Sequence, residues 1–197
     1  MKKACVIFIC LVSFLVSGAA FSARNPPLRF APQPLMSQQH MIKKFSALCT
    51  ALSKICGQEI ELVYERDYAE IIKGISENSI DFALLGPLPF LSASEDNSHI
   101  LPLVRILDES GSPDYTCALV SFGSKNPLDK KNPIEIALTQ PYSTCGDLMT
   151  ESLLDRYGRS LEQLHYEYAG THADAALSVV TGKADLAGVK TNIAHKY

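Results

Sequence analysis

Apolar and polar residues alternate along the chain with two different periods. Residues 38–56 place apolar side chains three and four positions apart, which predicts an amphipathic helix that ends at Gly57. Residues 28–31 and 59–64 are short and rich in apolar side chains, and we expect strands there. Residues 80–85 form an almost continuous apolar run, which is typical of a buried parallel strand. The pattern therefore predicts an α/β protein.

The most informative pattern is an internal repeat with an offset of 104 residues. Each copy reads as a strand, a capped helix with an apolar stripe, and a second strand that starts apolar-Asp-apolar-Ala. The helix caps are Asp67 and Thr171, and the second strands start at residues 80–83 and 184–187. The offset is too long for a solenoid. It predicts two similar βαβ lobes whose strand-end loops line a shared cleft.

The segments around and between the copies complete this prediction. Residues 86–89 are expected to form a turn. Strands are predicted at 101–107 and 115–122, where the chain passes from one lobe to the next, and at 134–139. A helix is predicted over 143–157, with Leu148 facing inward.

The first 22 residues have the features of a secretory signal peptide. Two lysines precede an apolar stretch at residues 4–16 that is too short to cross a bilayer comfortably, and small residues follow up to a cleavage site before Ala23. The alternative is an uncleaved anchor. We expect an exported, periplasmic protein with a signal peptide (residues 1–22), lobe one (23–112) and lobe two (113–197).

Composition narrows the function classes. The chain has 197 residues, 47% of them hydrophobic, and a formal net charge of −3, which argues against nucleic-acid binding. It contains no GxGxxG, Walker, HExxH or zinc-type CxxC motif, so the sequence predicts no metal and no other cofactor.

Four cysteines follow the predicted cleavage site: Cys49, Cys56, Cys117 and Cys145. Cys49 and Cys56 are seven residues apart on the predicted helix, about 10 Å at helical rise, which is too far for a disulfide. Buried thiols are the simpler interpretation, and a bond between Cys117 and Cys145 stays open.

The strongest chemical signal lies where a predicted strand runs into a helix at Ser143-Thr144-Cys145-Gly146. A helix N-terminus has unpaired backbone N–H groups and a partial positive charge, which suit an oxyanion. An ordinary N-cap is the alternative. Tyr68 and His172 occupy equivalent first-turn positions in the repeat and can donate hydrogen bonds into the cleft, although each could equally be a half-buried loop residue.

Four segments together resemble the PhnD-like phosphonate- and phosphate-type substrate-binding proteins of ABC transporters, which have the type-2 periplasmic binding protein fold. They are Asp67-Tyr68, residues 81–87 (DFALLGP), residues 143–146 (STCG) and residues 170–176 (GTHADAA). The resemblance extends from about residue 28 to about residue 191. It implies a two-lobed architecture in which the chain returns to lobe one after the second repeat. The sequence stops at Tyr197 before such a segment, which suggests truncation or a degenerate family member.

The resemblance also implies which residues bind the ligand. Ser143, Thr144 and Cys145, with the backbone N–H groups that follow at Gly146, would hold the phosphorus oxygens, while Tyr68 and His172 would each add a side chain. Weaker candidates for the pocket wall are Gly86, Phe90, Tyr115 and Lys190.

Three of these residues depart from the family pattern. Cys145 stands where the family usually has Ser, and Phe90 where a Tyr is common. Lys190 stands where relatives often have an acidic or small residue near the ligand's tail. It would suit a ligand with a second anionic group if it faces the cleft, and an ordinary solvated lysine is the alternative.

These observations favour a monomeric, non-enzymatic binding protein that captures a small phosphorus oxyanion and delivers it to an ABC permease in the inner membrane. A ligand-sensing domain or a degenerate remnant is the alternative. A hydrolase with Cys145 as nucleophile and His172 as base is less favoured, because no third residue that would orient the histidine is evident.

Overall fold

The computed structural model describes residues 25–95, 97–107, 111–123, 126–129 and 133–196. The predicted signal peptide lies outside these residues. None of the helices in the described part has the length and apolar character needed to cross a bilayer.

The first sheet has three parallel strands in the order β2-β1-β3. The strands are β1 (Leu28–Ala31), β2 (Ile60–Leu62) and β3 (Phe82–Ala83). A helix follows each strand in turn: α1 (Gln38–Cys56), α2 (Tyr68–Ser76) and α3 (Pro87–Glu95). Phe30 on the central strand stacks on Phe82 with ring centroids 4.9 Å apart, and this pair forms the core under α1.

The second sheet has four strands in the order β4-β7-β5-β6. They are β4 (Cys117–Val120), β5 (Glu135–Leu138), β6 (His165–Tyr168) and β7 (Leu186–Lys190). β4 is antiparallel to β7, and the other pairs are parallel. The helical segments are a π-helical turn (Thr144–Leu148), α4 (Met149–Asp155), α5 (His172–Val180), α6 (Thr191–Ala194) and short 3-10 turns at Pro127–Asp129 and Leu161–Gln163.

The internal repeat is confirmed. Helices α2 and α5 are offset by 104 residues at both ends. The Asp67 carboxylate accepts the N–H of Glu70 at 2.9 Å, and the Thr171 hydroxyl accepts the N–H of Asp174 at 3.1 Å. Both caps therefore fix the same N–H of the first turn, three residues on from the cap.

The aspartate of each apolar-Asp-apolar-Ala segment joins its strand to the centre of the sheet. Asp81 accepts the backbone N–H of Arg29 at 2.7 Å, and Asp185 accepts that of Glu135 at 3.2 Å. The Arg29 guanidinium also bonds Asp81, which lowers the pKa of that carboxyl. The repeated aspartate thus sets the pairing of two neighbouring strands in both sheets.

Some sequence-based expectations are wrong. Residues 86–89 begin α3, because proline is well suited to the first helical turn at Pro87. Leu148 is exposed, since the π-helical turn changes which side chains face the sheet. Residues 101–107 form no strand and have no strand beside them in the described structure. Their apolar side chains are more than half exposed: Leu101, Leu103, Val104, Ile106 and Leu107.

The predicted lobe boundary falls between the two sheets. Residues 101–107 and 111–116 belong to neither sheet, and the predicted boundary at residues 112 and 113 lies in this connection. The boundary itself stays a prediction.

A disulfide joins Cys117 on β4 to Cys145 in the π-helical turn. The simpler interpretation of buried thiols is therefore wrong for this pair. Cys49 and Cys56 are free, as their spacing predicts. The bond closes a loop with a sequence separation of 28 residues and ties the turn to the sheet.

Replacing both Cys117 and Cys145 with serine should lower the free energy of unfolding by about 3.5 kcal/mol, the size expected for a loop of this length. Urea unfolding followed by circular dichroism measures it. Cys56→Ser, at an exposed free thiol, is the control and should change stability little. Equal stability of the double variant and the parent chain would show that the bond does not stabilise the fold.

Candidate functional site

In each sheet, the connections from the parallel strands to the helices that follow them lie on one side, at the carboxyl ends of these strands. We call this side the edge of the sheet. β1, β2 and β3 run in the same direction, as do β5, β6 and β7, so their carboxyl ends lie together. Antiparallel β4 brings its amino end, with Tyr115 and Thr116 before it, to the same edge of the second sheet. The N-termini of α2, α3, α5 and the π-helical turn therefore begin at these two edges, with their positive dipole ends directed there.

Gln140, directly after β5, connects the two edges. Its side-chain carbonyl accepts the backbone N–H of Tyr68 at 3.2 Å. Its amide donates to the carbonyl oxygens of Pro34 at 3.2 Å and Gly170 at 3.3 Å. The side chain is buried, so these bonds fix the loops after β1, β2 and β6 against one another. Sequence reasoning missed Gln140, although a polar residue at the end of a buried strand was a usable signal.

A second connection runs between α3 and the π-helical turn. The N–H of Leu88, in the first turn of α3, donates to the Thr144 hydroxyl at 3.1 Å. A Cβ atom on Gly86 would lie 3.3 Å from the Thr144 Oγ1 and 3.4 Å from the Tyr115 hydroxyl. Gly86 therefore allows the main chain of the first sheet to approach both side chains closely.

Ser143 caps the π-helical turn. Its hydroxyl oxygen accepts the N–H of Gly146 at 3.2 Å, and its side chain is buried. The N-cap interpretation of this serine is therefore confirmed. Because a hydroxyl both donates and accepts, the O–H groups of Ser143 and Thr144 can still donate to a third group.

Gly146 is required by packing beneath this turn. A Cβ atom there would overlap the Thr139 hydroxyl. Thr139 is almost fully buried, and its hydroxyl is without a hydrogen-bond partner in the described part of the chain. The Thr150 hydroxyl bonds the Cys145 carbonyl at 2.9 Å on the other side of the turn. The wide π-helical turn thus rests directly on the end of β5, which sequence reasoning did not anticipate.

Cys145 has a different role from the predicted one. Its sulfur is bonded to Cys117 and the residue is 1% exposed, so it has no thiol to donate to a ligand or to attack a substrate. This removes the cysteine-hydrolase alternative. The residue keeps its main-chain N–H in the first turn, where backbone donors are unpaired.

Tyr68 is buried in the first turn of α2. Burial, with a smaller contribution from nearby Tyr115, raises the pKa of its phenol well above the usual value. The hydroxyl is therefore protonated at physiological pH and can donate a hydrogen bond.

His172 and Lys190 lie side by side. The Lys190 backbone N–H donates to the His172 Nδ1 at 3.4 Å, which assigns the proton of the neutral ring to Nε2. Burial, and then the charge of Lys190, lower the His172 pKa to about 4, so the ring is neutral near pH 7. The Lys190 ammonium lies 4.4 Å from the centre of the Tyr115 ring, and the side chain is half-buried rather than freely solvated.

Phe90 belongs to a helix of the first sheet. It lies half-buried in the first turn of α3, where its N–H bonds the Gly86 carbonyl at 3.1 Å. Its ring forms no stacked or edge-on pair with another aromatic ring among the described residues.

Two grooves on the surface of the described residues lie apart from these side chains. One, of about 470 Å³, runs along β5, β6 and α5, and the other, of about 560 Å³, along α1 and β2. Neither is lined by Tyr68, Ser143, Thr144, His172 or Lys190. No group of three or more His, Cys, Asp or Glu side chains that could hold a metal ion occurs among the described residues.

The fold matches solved binding proteins. PhnD1 from Prochlorococcus marinus in complex with methylphosphonate aligns with a TM-score of 0.71 at 19% identity, covering 86% of this chain and 65% of that one. A binding protein component of an ABC phosphonate transporter from Pseudomonas aeruginosa gives 0.67 at 19% identity, covering 87% and 59%.

Two curated relatives agree with this match. The phosphate-import protein PhnD of Mycolicibacterium smegmatis is 25% identical over 170 residues, 80% of this chain and 53% of the relative. The phosphonates-binding periplasmic protein of Escherichia coli is 25% identical over 123 residues, 62% and 36%. The chain therefore spans about half or less of the length of these two relatives.

The family assignment rests on most of the chain. A sequence profile of the periplasmic phosphonate substrate-binding proteins of ABC transporters matches residues 30–197, which include the second sheet, all of the first sheet except the start of β1, and all the converging helix N-termini. The resemblance carried by the four sequence segments is thereby confirmed. The chain belongs to the family of periplasmic phosphonate-binding substrate-binding proteins of ABC transporters.

Proposed function

We propose that this chain is exported and binds a small phosphorus oxyanion, a phosphonate, phosphate or phosphite, between its two sheets for uptake through an ABC permease in the inner membrane. We expect it to act as a monomer. The observation that carries the proposal is the convergence of four helix N-termini on two facing sheet edges that Gln140 and Thr144 bring into contact. The names of the two curated relatives, which refer to phosphate import and phosphonate binding, support it.

The chemistry of the cluster suits such a ligand. A phosphonate group has three oxygens that accept hydrogen bonds and negative charge that favours helix N-termini. The donors available at the two edges are the hydroxyls of Ser143, Thr144 and Tyr68, the His172 Nε2–H and the main-chain N–H of Cys145. Of these, Ser143 and Thr144 lie at the cap of one turn and form the centre of the proposed site, with Gly86 and Tyr115 beside them.

The contacts across the cleft indicate how the ligand would be enclosed. Tyr68 and Leu88 belong to the first sheet's helices, while Gln140 and Thr144 follow β5 of the second. A ligand between the edges would accept hydrogen bonds from both sides at once. Hinged closure of the two lobes, the movement typical of periplasmic binding proteins, would then trap it.

Ser143→Ala and Thr144→Ala should each weaken methylphosphonate binding by about 1–3 kcal/mol, because each removes a hydrogen bond to a charged group. Isothermal titration calorimetry of the purified chain measures the dissociation constants. Ser143 also caps a helical turn, so Ser160→Ala is the matched control: Ser160 caps the turn at Leu161–Gln163 on another part of the surface. Unchanged affinity in both Ser143→Ala and Thr144→Ala would remove this turn from the proposed site.

The neutrality of His172 has a measurable consequence. The unfolded histidine has a pKa near 6.5, and the folded one about 4, so the unfolded chain takes up a proton in this window that the folded chain does not. The free energy of unfolding should therefore fall as the pH falls from 6.5 to 4, by up to about 3 kcal/mol from this residue.

Urea unfolding at pH 7 and at pH 4.5 tests this effect. The loss of stability on acidification should be smaller in His172→Gln than in the parent chain, because glutamine does not titrate. His99→Gln, which replaces an exposed histidine in a loop after α3, is the control. Identical pH dependence in His172→Gln and the parent would show that protonation of His172 does not cause the loss of stability.

A further inference from the structure

Strand pairing holds Lys190 close to the π-helical turn at Thr144–Leu148, where the oxyanion is proposed to bind. It is the last residue of β7 and pairs with Cys117 on antiparallel β4. Cys117 in turn is bonded to Cys145 of the turn, with the two Cα atoms 5.1 Å apart. Since paired antiparallel residues lie about 5 Å apart, the Lys190 backbone is within about 10 Å of the turn. The Lys190 backbone N–H also donates to the His172 Nδ1, which fixes Lys190 to the start of α5.

The side chain of Lys190 crosses the ring of Tyr115. The ammonium lies 4.4 Å from the ring centre, and the Tyr115 hydroxyl would be 3.4 Å from a Cβ atom on Gly86, at the opposite edge. The ring therefore reaches from the second sheet to the first, and the ammonium lies over it in the same region. A ring face attracts a cation, but it does not neutralise the charge.

The carboxylates of the described residues do not compensate this charge. Within the part of the chain that the structure describes, none lies within 4 Å of the Lys190 ammonium. Burial alone lowers its pKa, without an opposing acidic neighbour. Two aspartates near the helix N-termini have partners of their own. Asp67 caps α2 by accepting the Glu70 N–H, and the Asp174 carboxylate accepts the hydroxyl of the cap residue Thr171. Among the described residues, the half-buried lysine is therefore a cation that has no carboxylate partner.

We propose that the cleft selects phosphonates that carry a second anionic group, a carboxylate on a short spacer, and that this carboxylate pairs with Lys190. The inference rests on the proposed function, because the phosphonate end is placed at Ser143 and Thr144. A half-buried cation gains most from a partner that arrives with the ligand, since the pair is then shielded from water. The same charge repels an ammonium group on the ligand, so aminoalkyl phosphonates are disfavoured.

Three probes that share the phosphonate group test the proposal: methylphosphonate, phosphonoacetate and 2-aminoethylphosphonate. Their dissociation constants are measured by isothermal titration calorimetry with the full purified chain and with Lys190→Met, Lys190→Glu and Lys183→Met. Lys183 is an exposed lysine in the turn before β7 and is the matched control.

The parent chain and Lys183→Met should bind phosphonoacetate at least tenfold more tightly than methylphosphonate, and 2-aminoethylphosphonate most weakly. In Lys190→Met the dissociation constants of methylphosphonate and phosphonoacetate should become nearly equal. In Lys190→Glu the order should reverse in favour of 2-aminoethylphosphonate, which a merely structural role of the lysine does not predict.

Two results would overturn the proposal while the proposed function stands. One is equal affinity of the parent chain for methylphosphonate and phosphonoacetate. The other is a loss in Lys190→Met of the same size for both ligands, which would mean that the lysine binds the phosphonate group itself. Absence of binding by all three probes to the parent chain would overturn the proposed function together with this inference.

Discussion

Parallel pairing is the constraint on which the site depends. A parallel strand must be reached by a crossover, and here each crossover is a helix that starts where the preceding strand ends. All the helices that follow β2, β3, β5 and β6 therefore begin at an edge of their sheet. This geometry collects backbone N–H groups and hydroxyls in one region although they are up to 104 residues apart in sequence, as Tyr68 and His172 are.

The constraint also explains how the site could be found in the sequence. Strand ends and helix caps leave local signals, so Asp67, Thr171 and Ser143 were identifiable from residue type and spacing, and their caps are confirmed. The helix boundaries of α1 and the repeat were predictable for the same reason. What local patterns cannot show is the partner of a side chain. The three bonds of Gln140, the fit of Gly146 over Thr139 and the choice of Cys117 for Cys145 all join residues distant in sequence.

Residues 101–107 show that a local pattern can also predict an element that does not form. Their apolar pattern predicts a strand, yet a strand forms only where another offers hydrogen bonds, and none lies beside this segment in the described structure. The two sheets differ in the corresponding place: β7 has antiparallel β4 on its outer side, whereas β3 is the last strand of its sheet. The exposed apolar side chains of this segment lie outside both sheets, and in the described structure β3 has no strand on its outer side.

Under the proposed function, the disulfide between Cys117 and Cys145 would make ligand affinity depend on cellular location. It fixes the one turn that presents Ser143 and Thr144, and such bonds persist outside the cytosol but are kept reduced within it. Under the proposed function, a chain that has not yet crossed the membrane holds that turn by packing alone. Newly made copies would then compete poorly for the phosphate compounds of the cell's own metabolism, and the affinity would rise only after the chain has left the cytosol.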